Sequence, residues 1–173
     1  MLEIINELSP FFEDCYRRIN VREYAKLIKK SPPTASSILN KYHKLGLLEK
    51  QQDRIYLFFY ANKDNKDFID LSKIYWRNKL NKLILKIKEN TINPTIILFG
   101  SLSKAEVTQA SDIDIAILSN KKDINLKQIE SELSRKIELF WFKSLKEINN
   151  ELLINIINGY VLEGRLKNGL EWM

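Results

Sequence analysis

Hydrophobic spacing divides this chain into segments of helical and of strand-like period. Over 21–30, Tyr24, Ala25, Leu27 and Ile28 fall on one helical face. Ser31 and Pro32 open a second helix, with serine as N-cap and proline at the first helical position. Ala35, Ile38, Leu39, Tyr42 and Leu45 continue its apolar stripe, and Gly46 stops it. A strand over 47–50, a polar turn over 51–54 and a strand over 55–60 follow as a hairpin. After a polar break at 62–65, a long amphipathic helix starts at Asp67, striped by Phe68, Leu71, Tyr75, Leu80, Leu83, Ile84 and Ile87, with Trp76 at its edge. Pro94 heads a five-residue apolar run over 95–99, as in a buried strand, and a second strand runs to Leu118. A helix over 125–136, a strand-like run over 136–142, a helix opened by a Ser144/Glu147 capping box and a short strand over 160–163 complete the pattern. The pattern predicts an α+β chain with an N-terminal module over 1–65 and a second over 66–173, joined by a helix of about 66–89.

Chemistry concentrates in 95–118. Side chains alternate faces along a strand, so Asp112 and Asp114 share one face while Ile113, Ile115 and Ile117 take the other. Two acids so placed repel each other and are suited to a cation; hard oxygen donors favour magnesium or manganese. A polar outer face on an edge strand is the plainer alternative. Gly100 after the first strand permits a sharp turn and close approach to a ligand, and the Ser101 hydroxyl adds a donor beside the backbone N–H groups of the following helix. Glu138 is a lone acid within the apolar run 136–142. An unpaired buried charge is costly, so it either joins Asp112 and Asp114 at a metal or faces solvent beside Lys136 or Lys143.

Phe99-Gly100-Ser101, Lys104-Ala105-Glu106, the run from Ser111 to Ile115, and Glu138 together resemble the nucleotidyltransferase superfamily that includes DNA polymerase β, in particular its small stand-alone members. The resemblance spans about 68–168. It implies a mixed sheet flanked by helices and transfer of a nucleoside monophosphate, with AMP as the expected group, from a triphosphate to a hydroxyl. It assigns Asp112, Asp114 and Glu138 to two magnesium ions, with manganese as a substitute, and Gly100, Ser101, Lys104 and Ser111 to the nucleotide. Small members include antitoxins that adenylylate a partner toxin, often of the HEPN type, so a protein hydroxyl is an expected acceptor. Two departures stand out. The family usually has Arg-Gly where this chain has Lys104-Ala105, and lysine lacks the bidentate fork. The third acid is usually aspartate.

Residues 21–62 resemble winged helix-turn-helix DNA-binding domains, whose second helix enters the major groove. Carried over, the groove-facing residues are Pro33, Thr34, Ser36, Ser37, Asn40, Lys41 and Lys44, with Arg54 on the wing. A module used only for protein contact or dimerisation is the alternative.

Charge favours the nucleic-acid alternative. Lys and Arg number 11 against 8 acids over 1–65 and 7 against 3 over 66–90, but 10 against 11 over 91–173, so the +6 surplus lies away from the acidic motif. The lone Cys15 excludes an internal disulfide and is expected in a core; the lone His43 excludes histidine-rich zinc sites. No stretch approaches the roughly 20 apolar residues of a membrane span, and a cytoplasmic protein, with a homodimer as one assembly, is expected. Two functions stay open: an active transferase carrying a DNA-binding or docking module, or a winged-helix transcriptional regulator whose transferase domain only binds nucleotide or is inactive.

Overall fold

The structure, a computed structural model, describes residues 2–166. The described residues form two compact units, one of residues 2–75 with 105–109 and one of 76–104 with 110–166. The end of the second module expected at 173 therefore lies outside the described residues.

In the first unit, helix α1 (Leu2–Glu13) buries Ile5, Leu8, Phe11 and Phe12. It contains Pro10, which cannot donate to the Asn6 carbonyl; the Ser9 hydroxyl donates to that carbonyl instead, at 2.8 Å. Strand β1 (Ile19–Asn20) leads into α2 (Val21–Leu27), capped by Asn20, whose Oδ1 accepts from the Glu23 amide. Helix α3 (Pro32–Lys44) begins at the expected Ser31 cap with Pro32 in its first turn. Strands β2 (Leu48–Asp53) and β3 (Tyr56–Ala61) form an antiparallel hairpin, and the sheet order is β1-β3-β2.

The hairpin is longer than its polarity implied. Gln51, Gln52 and Asp53 pair with Phe58, Leu57 and Tyr56, so the turn contracts to Arg54 and Ile55. Exposed polar side chains do not interrupt a backbone ladder, which is why 51–53 passed for turn. Phe11, Phe12, Tyr24, Leu39, Tyr42 and Phe59 form a fully buried core. The two tyrosine hydroxyls are not stranded there: Tyr24 donates to the Glu7 carbonyl at 2.7 Å and Tyr42 to the Glu7 carboxylate. Cys15 is buried as expected.

Helix α4 (Lys66–Lys79) starts after the polar break, yet the unit boundary falls inside it, after Tyr75. The reason is aromatic packing: Phe68 and Tyr75 both lie against Phe12, at ring centroid separations of 5.1 and 5.3 Å. The single long helix expected from about 66 to 89 is two helices, with α5 (Asn81–Asn90) beginning after Leu80, whose ψ of 4° departs from helical geometry. Trp76, expected at the helix edge, is fully buried.

The second unit is built on a four-stranded sheet: β4 (Thr95–Phe99), β5 (Ile113–Leu118), β6 (Ile137–Phe142) and β7 (Tyr160–Glu163), in the order β6-β5-β4-β7. Only the β5–β6 pair is parallel, as its connection through a helix requires. Besides α5, its helices are α6 (Ser101–Lys104), α7 (Lys127–Leu133) and α8 (Asn150–Ile157). Helix α7 is shorter than the expected 125–136, because Ser134 takes a left-handed φ of 52°. The Ser144/Glu147 box opens only a 3-10 turn; α8 is capped by Asn149, which accepts from the Leu152 amide at 3.0 Å. Ile97, Phe99, Ala116, Leu145, Ile148 and Ile156 pack as the core on one face of the sheet. Among the described residues, no helix is long and apolar enough to cross a membrane.

Leu39→Ala is expected to lower stability by about 2–5 kcal/mol, and Ser37→Ala on the exposed face of the same helix by under about 0.5 kcal/mol. Denaturant unfolding followed by circular dichroism checks both; equal losses would refute this assignment of the faces of α3.

Candidate active site

The expected phosphate turn and acid strand meet at the end of β4. Phe99, the last residue of β4, pairs with Asp114 on β5. Gly100 turns the chain with φ of 69°, and a Cβ there would overlap the Asp114 carboxylate, lying 3.3 Å from its carboxyl carbon. A side chain at this position is therefore excluded twice, by backbone conformation and by space. The following helix, α6, is a single turn, steadied by the Ser103 hydroxyl donating to the Gly100 carbonyl at 2.8 Å. Ala105 ends it at φ of 55° and is fully buried. The departure from the family glycine thus falls where the backbone adopts the left-handed conformation that glycine tolerates best.

The carboxylates come from two strands. Asp114 stands directly across from Glu138 in the parallel β5–β6 pair, and Asp112 precedes β5 by one residue. Burial holds the Asp114 carboxyl above the ordinary range; the charges of Glu138 and then Asp112 add to this, while Lys136 opposes it. The three acids are therefore close enough to repel one another, and divalent cations suit the hard oxygen donors they offer. Among the described residues, however, no three His, Cys, Asp or Glu side chains gather into one ligand set. The Glu138 carboxylate is instead paired with the Lys136 ammonium, whose own pKa this hydrogen bond raises. In this arrangement the Asp112–Asp114 pair fits a cation, and Glu138 joins them only by leaving its lysine.

Two positioning residues gave no obvious signal in the sequence. Arg135 is buried; it donates to the Ser111 carbonyl at 2.7 Å and lies 5.3 Å from the centroid of the Trp76 ring. It thereby fixes the backbone leading into Asp112. A basic residue directly before a strand is too common to have marked it. Asn155 on α8 accepts from Lys104 at 3.1 Å, so this lysine is exposed and held toward α8. Ser101 and Ser111 are half-buried at the two ends of the 101–111 connection. Phe140 meets Phe99 edge-on, with ring centroids 5.3 Å apart.

In the first unit, Pro33, Thr34, Ser37, Lys41 and Lys44 are exposed on α3. Ser36 and Asn40 are half-buried, and Asn40 donates to the Ser36 carbonyl at 2.8 Å. Arg54 is exposed at the hairpin turn, with φ of 53°. His43 contacts the Leu48 carbonyl through Nδ1 at 3.0 Å.

Residues 78–166 match the family described as Polymerase beta, Nucleotidyltransferase, and the chain belongs to that family. Comparison with curated proteins gives no match. A solved structure, described as "Crystal structure of the toxin-antitoxin with AMP-PNP", is similar at 28% identity over 52% of this chain and 76% of that one, with a TM-score of 0.41.

Gly100→Ala is expected to cost at least about 1–2 kcal/mol from the positive φ alone. Combined with Asp114→Ala, which removes the overlapping carboxylate, the loss is expected to be smaller than the sum of the single losses. Thermal unfolding of the four proteins of the cycle measures the coupling; strict additivity would show that Gly100 and Asp114 do not meet.

Proposed function

We propose that this protein transfers AMP from ATP to a hydroxyl group of a partner protein. The observation that carries the reading is the placement of Asp114 against the Gly100 turn, with Glu138 across from it on β6 and Asp112 just before β5. Gly100 and Ser101 steady the terminal phosphates, Ser111 borders the nucleotide, and Lys104 lends positive charge once released from Asn155. Asp112 and Asp114 hold the magnesium that accompanies the triphosphate; Glu138, paired with Lys136, reaches a second ion only by leaving that lysine. Bound magnesium supplies charge neutralisation and orientation for an in-line displacement. The acceptor oxygen bonds to the α-phosphorus as the bond to the bridging oxygen breaks, pyrophosphate leaves, and the acceptor proton passes to solvent. The protein acceptor, of the toxin type, is the one the small-member resemblance implies.

The first unit, in the same proposal, is a winged helix that docks on DNA. Supporting this are the exposed polar face of α3 and the surplus of 11 Lys and Arg over 8 acids in 1–65. The regulator alternative shares this module and differs in lacking turnover.

Calorimetry with magnesium ATP is expected to give binding by the wild type and none by Asp112→Ala/Asp114→Ala. Binding that survives the double substitution would refute the metal assignment. Lys41→Ala/Lys44→Ala is expected to weaken duplex DNA binding and to lower the slope of log K against log salt by about 2. Fluorescence anisotropy across a salt series measures this, and a wild type without DNA affinity would refute the docking role.

A further inference from the structure

The parallel pairing of β5 and β6 places a positive charge inside the acidic face. Ile113 pairs with Ile137 and Asp114 with Glu138, and the Ile113 amide donates to the Lys136 carbonyl at 2.9 Å, so the ladder reaches Lys136. Alternation along strands then puts Asp112 and Asp114 on one side of this face and Lys136 and Glu138 on the other. The Lys136 ammonium is ion-paired with the Glu138 carboxylate. Three carboxylates and one ammonium leave a formal charge of −2, which one divalent cation neutralises.

Resting on the metal–nucleotide reading above, we propose that Lys136 occupies Glu138 in place of a second metal. The nucleotide-loaded site then holds one divalent ion, on Asp112 and Asp114, and resists a second. Lys136 is accordingly a residue that sets the metal count. Its side chain is 64% exposed, so replacing it leaves no cavity and uncovers no core. An exposed ion pair is also weak enough for a metal to contest, which makes the competition measurable.

The test counts manganese ions bound per full-length chain by electron paramagnetic resonance, with a non-hydrolysable ATP analogue present. Wild type, Lys136→Met and Lys136→Met/Glu138→Gln are compared, each first shown to melt like the wild type. The wild type is expected to bind one ion, with a second only at much higher manganese concentration. Lys136→Met is expected to take the second ion about tenfold more tightly, and the double variant to lose that gain. Two ions bound by the wild type as tightly as by Lys136→Met would overturn the role of Lys136 while leaving the metal–nucleotide site standing. No ion bound by any of the three would overturn the metal–nucleotide site itself, and this proposal with it.

Discussion

The in-register pairing of Asp114 with Glu138 is the constraint on which the second unit depends. It sets two like charges side by side, one of them partly buried, without a fixed counter-charge of full strength. A parallel pair also requires a crossover, and the chain supplies α7 for it. Two hydrogen bonds from the later part of that connection tie it to the strands of the site. Glu130 on α7 accepts from the Ile137 amide at 3.0 Å at the start of β6, and Arg135 grips the Ser111 carbonyl just before Asp112. Moving β6 by one residue would carry Glu138 to the opposite face and leave Asp114 without its neighbour.

The cost of this arrangement falls on Asp114. Its raised pKa means that the folded chain disfavours the charged carboxylate which a cation requires. The sign follows from linkage: folding binds the proton more tightly than the unfolded chain does, so this group's contribution to stability declines as pH rises through the carboxylate range. The charged form of Asp114 is thus the one the fold disfavours, and a bound cation would favour it. Gly100 adds to the local demand, because its absent side chain leaves the space that the Asp114 carboxylate fills.

Much of this site was legible in the sequence because it is local. The strand period gave the expectation of a shared face for Asp112 and Asp114, and the glycine after an apolar run gave the turn that Gly100 makes. The succession of strands along the chain, through β7, was legible for the same reason. Less legible was whatever depended on contacts distant in sequence. Whether Glu138 meets the aspartates or Lys136 turns on side-chain conformation, which no period encodes. Arg135 and Asn155 act through hydrogen bonds to residues far along the chain. The break at Leu80 escaped detection because leucine is a good helix former and the apolar stripe continues across it. The polar hairpin residues 51–53 hid a strand because the backbone, not the side chains, makes the ladder.

Strand β4 lies between partners that reach it at different times during synthesis. One side is taken by β5, a short connection later, while the other waits for β7, where Ile97 pairs with Val161. Gly159 admits that late strand closely: a Cβ there would lie 2.6 Å from the Leu98 carbonyl oxygen. Until residues 160–163 leave the ribosome, the most apolar strand of the sheet has an open edge, a ready template for another nascent chain. The final strand thus serves as a seal, and translation that stalls shortly before it would yield a chain with its acidic pair in place and a strong tendency to aggregate.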